Sequence, residues 1–272
     1  MSFFVGALNF HRSLARFVRT RVPNRCRDLS ISFCTVLLLS MVPTEWAASE
    51  EDDLDIALSL ANALRAARTV IADNQALIND PLVADKDLSG ANVVHDTLVL
   101  VNKDADPDPL PIDADTKYGR LLQALLDSIK EVMDENQRDI NTPDVGFKGF
   151  VPAVFARLVN ERFSEKVGQE AEMKVTAPTN LVRNRKARPD EWERNVIDTK
   201  FDTSDWQRGE LFSEVTTSDQ RPAFRVMVPE YYGKACLACH GNPKDEIDIT
   251  GYPKEGGKLG DLGGAISITL FR

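Results

Sequence analysis

"FRVMVPEYYGKACLACHGNP", residues 224–243, decides the reading of this chain. Its first half, Phe224 to Tyr232, is rich in β-branched and aromatic residues and reads as a strand. Its second half places Cys236, Cys239 and His240 within five positions, in a chain of four cysteines and three histidines. A predicted strand therefore runs straight into Cys-x-x-Cys-His. Four chemistries compete for that cluster: a zinc site, a structural disulfide, a thiol redox pair and a covalently attached haem.

The same texture extends outward. "EMKVTAP", "ELFSEVTT", "PAFRVMVPE" and "GGAISITLFR" are short, β-branched or aromatic, and separated by turn residues, so they read as strands. Between them "PDEWERNVIDTKF" reads as a helix opened by Pro189 and Asp190. Helices come first along the chain and mostly antiparallel strands follow. The class this order predicts is α+β, with long N-terminal helices packed on one face of an antiparallel sheet.

The helical part contains an internal repeat at an ungapped offset of 62: "LANALRAARTVIADNQALINDP" from Leu60 and "LQALLDSIKEVMDENQRDINTP" from Leu122. Asn74, Gln75, Ile78, Asn79 and Pro81 match Asn136, Gln137, Ile140, Asn141 and Pro143. The apolar positions Leu60, Leu64, Ala67 and Ile71 match Leu122, Leu126, Ile129 and Met133, spaced as one face of a helix. Two long helices, 54–79 and 117–140, are expected to pack along these faces. Each should stop near its proline, which cannot continue a helix. "PAVFARLVNERF" from Pro152 reads as a shorter helix with proline in its first turn. Its counterpart "GANVVHDTLVLVN" has a less clean apolar pattern. The copies are joined by "NKDADPDPLPIDAD", residues 102–115. Its aspartates sit at spacings seen in calcium loops, but Pro109 stands where such a loop needs glycine, so it reads as an acidic linker stiffened by prolines.

The N-terminus gives the compartment. Arg12, Arg16, Arg19, Arg21, Arg25 and Arg27 precede the apolar run "LSISFCTVLLLSMV", residues 29–42, and small residues follow at Ala47 and Ser49. That is the order of a secretory signal, with a cut expected before Glu50. The run is 14 residues long, short of the roughly 18 to 20 that span a bilayer. The expected divisions are a signal peptide at 1–49, the helical repeat and acidic linker at 50–116, and a main domain at 117–272. Residues 1–49 hold six of the 33 basic and two of the 42 acidic residues, which leaves 27 and 40, a formal charge of −13. So acidic a chain disfavours nucleic acid and anionic membranes as partners. A periplasmic or otherwise exported protein without stable membrane insertion is expected, with Cys236 and Cys239 as its remaining cysteines.

Those constraints sort the four chemistries. Zinc needs four ligands, and only distant His95 could join Cys236, Cys239 and adjacent His240. A thioredoxin-type pair wants a βαβ context. A disulfide leaves the histidine unexplained. Cys-x-x-Cys-His is the attachment pattern of c-type haem: two thiols add across the two vinyl groups, and the next residue offers imidazole to the iron. One covalent haem on Cys236 and Cys239, with His240 as proximal metal ligand, is the expectation.

Three stretches carry a family resemblance: "LVRNRKARPDEWE" (181–193), "FRVMVPEYYGKACLACHGNP" (224–243) and "GGKLGDLGGAISITLF" (256–271). From about residue 120 onward the chain resembles exported c-type haem domains with a PAS-like fold, formerly a domain of unknown function. Members occur alone and as periplasmic sensor parts of histidine kinases and chemotaxis receptors. The family pattern Arg-Asn-Pro-x-Asn-x-Pro-Asp-x-Trp-Glu is met by Arg183, Asn184, Pro189, Asp190, Trp192 and Glu193, while Arg185 and Ala187 depart from it. The resemblance implies a PAS-like sheet. Arg183, Arg185 and Arg188 become candidates for the haem propionates, against a solvated basic loop. Tyr231 and Tyr232 become candidate walls of the haem pocket, against ordinary packing, and Trp192 is read as a packing residue.

Some relatives supply a second axial ligand from a cysteine on the helix before the sheet. The matching helix here, "GFVPAVFARLV", offers Val154 or Phe155 instead. Met227, near the motif along the chain, His95, Met173 and Met133 remain as candidates, beside an open position. An open position implies a redox or small-ligand sensor that signals through an exported or membrane protein partner. A closed one implies a periplasmic electron-transfer cytochrome. No distal acid–base residue can be located for a peroxidase, so enzymatic activity is not expected.

Overall fold

The structure, a computed structural model, describes residues 44–103 and 113–272. The expected signal peptide, up to residue 43, and most of the acidic linker lie outside the described residues. Five helices come first: α1 (Thr44–Asp73), the single turn α2 (Gln75–Ile78), α3 (Gly90–Val101), α4 (Lys117–Ile140) and α5 (Pro152–Val167). Then follow β1 (Ala171–Thr176), α6 (Glu191–Val196) running into a π-turn at Ile197–Phe201, β2 (Phe212–Ser218), β3 (Arg221–Tyr231), the single turn α7 (Leu237–His240) and β4 (Leu262–Phe271). The fold is α+β, as the order of periodicities predicts.

The four strands form one antiparallel sheet in the order β1-β4-β3-β2. Strand alternation divides its two faces. Phe224, Val226 and Val228 of β3, with Ile266, Ile268 and Leu270 of β4, join the main core beneath the helices. Met227 and Ala265 point to the other face, into a smaller core with Val196, Ile197 and Phe201.

The division expected at 116/117 is not a boundary in the packing. Leu60, Leu64 and Ile71 of α1 share one core with Leu125 and Ile129 of α4, Phe155 of α5 and the sheet. Residues 43–272 form one compact unit. Charged groups seal the same join. Arg65 and Arg68 reach Glu230 at the end of β3, at 2.6 and 2.9 Å, and Asp53 holds both Lys117 and Arg272. A sequence boundary drawn at the acidic linker marks a connection and not a separate core.

The repeat has a structural meaning that its spacing does not reveal. At the offset of 62, α3 corresponds to α5, so each copy is a long helix, a loop and a shorter helix. The conserved polar letters of each copy bind the loop of the other. Asn141 Oδ1 accepts from Lys86 N and Asn79 Oδ1 accepts from Lys148 N, both at 3.2 Å. Gln137 Nε2 donates to Leu88 O at 2.7 Å and Gln75 Nε2 to Phe150 O at 3.2 Å. Every one of these bonds has its partner 62 residues away on both ends. That reciprocity is the signature of a two-fold related contact, here within one chain. Packing is tight where α3 begins, since a Cβ on Gly90 would lie 2.2 Å from Lys130 O on α4. The first long helix is interrupted at Asn74, so the expected 54–79 helix is α1 followed by α2.

Two outcomes follow. Leu126 is 5% exposed, and Leu126→Ala should cost about 2–5 kcal/mol in urea unfolding. Asn79→Ala and Asn141→Ala should each strand a loop N–H, cost about 1–3 kcal/mol, and do so to a similar extent. A loss confined to one asparagine would show that the two copies are not equivalent.

Candidate functional site

The bulge between Glu230 and Tyr231 ends the regular pairing of β3 with β4. Five residues beyond Tyr232 the chain enters α7. Cys236 O accepts from Cys239 N at 3.2 Å and from His240 N at 2.9 Å. Cys236 and His240 are therefore four residues apart on one turn and share a face. Both cysteines are free, Cys236 exposed and Cys239 half-buried. Gly241 lets the chain leave the turn, because a Cβ there would lie 2.5 Å from Leu237 O. Among the described residues no group of three or more His, Cys, Asp and Glu is placed to hold a metal ion.

His240 is fixed on two sides. Its Nδ1 lies 2.9 Å from Glu255 Oε2. Its ring stacks on Tyr232, with centroids 5.1 Å apart and planes 16° from parallel. Nε2 has no partner among the described residues. Tyr232 in turn fits between two glycines: a Cβ on Gly257 would come within 2.6 Å of its ring, and one on Gly263 within 2.5 Å. Gly257 N also donates to His240 O at 2.8 Å. The glycines of "GGKLGDLGG" thus make room for the ring that supports the histidine. The Tyr232 hydroxyl is buried without a partner among the described residues, and burial pushes the phenol up to about 12.

Arg183 ties this assembly together. Its Nε and Nη2 donate to the two oxygens of Glu255 at 2.7 and 2.9 Å. Nη2 also donates to Cys239 O at 2.9 Å, and Nη1 to Asp248 Oδ2 at 2.6 Å. Asp248 Oδ1 accepts from Thr250 N and Oγ1 at 2.7 and 2.6 Å. Burial works against both carboxylates. Hydrogen bonds from Thr250 and Arg183 nevertheless hold Asp248 well below the usual carboxylate range, and those from Arg183 and His240 hold Glu255 below it. Burial and the charge of Asp248 push the Cys239 thiol up. A reactive redox thiol requires the opposite shift, so the environment of Cys239 disfavours a thiol–disulfide role.

The sequence candidates separate clearly. Arg183 does reach the motif, but its guanidinium is spent on Glu255, Asp248 and Cys239 O. Arg185 is exposed on a 3₁₀ turn, Arg185–Ala187, with no side-chain partner among the described residues. Met227, expected near the iron from its place along the chain, is fully buried in the smaller core. Strand alternation turned it away from Val226 and Val228, and its surroundings are already filled. Met133, Met173 and Phe155 are buried in the main core, and His95 is exposed on α3. Tyr231 accepts from Gly209 N and lies under Arg208.

The Pro-Asp-x-Trp-Glu part of the family pattern serves the sheet. Asp190 and Glu193 cap α6 reciprocally. Arg225 of β3 meets Asp190 Oδ2 at 2.7 Å and Glu193 Oε1 at 3.5 Å, and its guanidinium lies 4.2 Å from the Trp192 ring. This clamp holds α6 on the sheet. Glu255 and Asp248 were not anticipated. They lie in a loop without periodicity, 72 and 65 residues from Arg183, and their only sequence signal is an acid among turn residues downstream of the motif.

The donor set suits a covalently held haem. Two free thiols and an imidazole with Nδ1 occupied and Nε2 free sit on one turn. Ile247, Ile249, Tyr252 and Leu259, all exposed apolar side chains, lie in the loop that Arg183 binds to that turn. A family model described as "Tll0287-like" matches residues 48–270. The match begins before α1's buried stretch, consistent with the shared core, and well upstream of the expected start near residue 120. Among solved structures, the cyanobacterial heme-protein Tll0287 matches with a TM-score of 0.36 at 15% identity, over 56% of this chain and 96% of that one. Among curated proteins no relative matches.

The Arg183 cluster has a pH signature. Asp248 and Glu255 bind protons less readily folded than unfolded. Their stabilisation is complete above the ordinary carboxylate range, about pH 4, and is lost as pH falls through and below it. Asp248→Asn should therefore lower stability at pH 7 and flatten its decline below about pH 4. Urea titrations with the same acid slope in both proteins would contradict this arrangement.

Proposed function

Because the chain belongs to the Tll0287-like family, we propose that it is an exported haem-binding protein carrying one covalent c-type haem. Cys236 and Cys239 would hold the haem through thioether bonds, and His240 Nε2 would be the proximal ligand. The observation that carries this reading is the state of the turn: two unpaired thiols beside an imidazole whose Nδ1 is already committed to Glu255. Bound there, haem would supply an iron able to change oxidation state and to take up a small ligand. The chain's own residues fix the imidazole's tautomer and plane, through Glu255 and Tyr232, and brace the backbone through Arg183 on Cys239 O.

The role we assign is a redox or small-ligand sensor module that signals through an exported or membrane protein partner, and not an enzyme. Support comes from where the remaining ligand candidates lie: Met133, Met173 and Met227 are consumed by the two cores, and His95 is solvent-exposed. No helix among the described residues is long and apolar enough to cross a membrane.

Haem staining should remain on the polypeptide after denaturing electrophoresis and vanish in a Cys236→Ala, Cys239→Ala double variant. Colourless wild-type protein, matured with the attachment machinery present, would overturn the haem reading. The reduced protein should bind carbon monoxide with a shift of its Soret band. A low-spin bis-histidine spectrum that excludes carbon monoxide, and is lost in His95→Ala, would move the protein to electron transfer.

A further inference from the structure

Glu255 is the side chain bonded to His240 among the described residues, and its carboxylate is not free to turn away. Arg183 grips both of its oxygens, at 2.7 and 2.9 Å, while Oε2 faces Nδ1 at 2.9 Å. A neutral imidazole bound to a metal through Nε2 carries its proton on Nδ1. When that proton is donated to a carboxylate, the ring gains anionic character and becomes a stronger donor at Nε2. Charge acts in the same direction. The single positive charge of Arg183 meets two negative ones, on Asp248 and Glu255. One uncompensated negative charge is left beside the imidazole, and the pair is well shielded, with side-chain exposures of 29% for His240 and 17% for Glu255. Both effects favour the ferric over the ferrous state.

We propose that Glu255 sets the iron potential of this protein, by accepting a hydrogen bond from the Nδ1–H of His240 and so disfavouring reduction. Arg183 is the positioning residue that aims the carboxylate, and Tyr232 holds the ring plane that keeps Nδ1 on it. This rests on the haem reading of Cys236, Cys239 and His240.

The test compares haem-loaded wild type, Glu255→Gln and Asp248→Asn by mediated redox titration and by resonance Raman of the reduced proteins. Glutamine still accepts from Nδ1 but carries no charge. Glu255→Gln should raise the ferrous-to-ferric ratio at a given applied potential at least tenfold, an upward shift of about 59 mV for one electron. It should also lower the iron–histidine stretching frequency. Asp248→Asn removes the same charge from the same arginine without touching His240, so its shift should be smaller and its iron–histidine band unmoved. An unchanged potential in Glu255→Gln would overturn the proposal. So would equal shifts in both variants with an unmoved band. If the variant does not mature, the wild-type band decides: a frequency typical of a carbonyl-bonded neutral imidazole overturns the proposal, and the higher frequency of a carboxylate-bonded one supports it. Wild type without covalent haem would instead defeat the underlying haem reading.

Discussion

A guanidinium carries five N–H donors in a rigid fork, and the candidate site depends on one such fork being fully used. Arg183 joins three segments that are far apart in sequence: its own loop after β1, the carbonyl of Cys239 in the motif, and the acids of the 244–257 loop. Removing the arginine would take the shared cation from both carboxylates, one of them with a side chain only 1% exposed. Breaking such a partnership costs more than forming it gains, because the survivor stays desolvated. The arginine is therefore best understood as what allows a four-residue helical turn to hold a fixed shape. An isolated turn that short has no stability of its own.

Support for His240 follows from the same economy of local elements. Tyr232 is the last ring before the motif, and Gly257 and Gly263 yield the space it occupies. The residues that hold the histidine thus come from both sides of the motif: the strand that enters it and the loop that leaves it. Pairing of Tyr232 N with Asp261 O and of Gly260 N with Tyr232 O prolongs the sheet irregularly past the bulge. A rigid scaffold reaches almost to the reactive side chains, which is what keeps a ligand set preorganised.

Much of this was legible in the sequence. The helix 117–140 and the proline-initiated helix from Pro152 appear where the apolar spacing and the first-turn proline place them. The strands appear where β-branched residues gather between turns. The motif itself was legible because its spacing is short and local, and the structure gathers Cys236, Cys239 and His240 on one turn. What could not be read depends on distance. The shared core of α1 and the sheet is invisible to any local window, so an acidic linker passed for a domain boundary. Helix α3 looked irregular because it packs against both α1 and α4, and two contact directions blur a single apolar stripe. The family pattern named Arg183, Asp190, Trp192 and Glu193, but not what they do. One arginine proved to bind the motif, and the other three residues clamp Arg225.

The reciprocal bonds of the repeat bear on the order in which the chain can fold. They link residues 49 to 75 positions apart, and neither copy can satisfy its asparagine and glutamine alone. As the chain emerges from its N-terminus, the first copy must wait for residues 148–150 before its own helix end is complete. Local helix formation is fast, but closure across such separations carries an entropic cost that slows assembly. The polar bonds that complete the first copy's helix end therefore stay open until residues 148–150 exist, although α3 already packs on α1. The duplication that makes the helical layer self-complementary also makes it a late-closing unit, whose cooperativity is imposed by the second copy on the first.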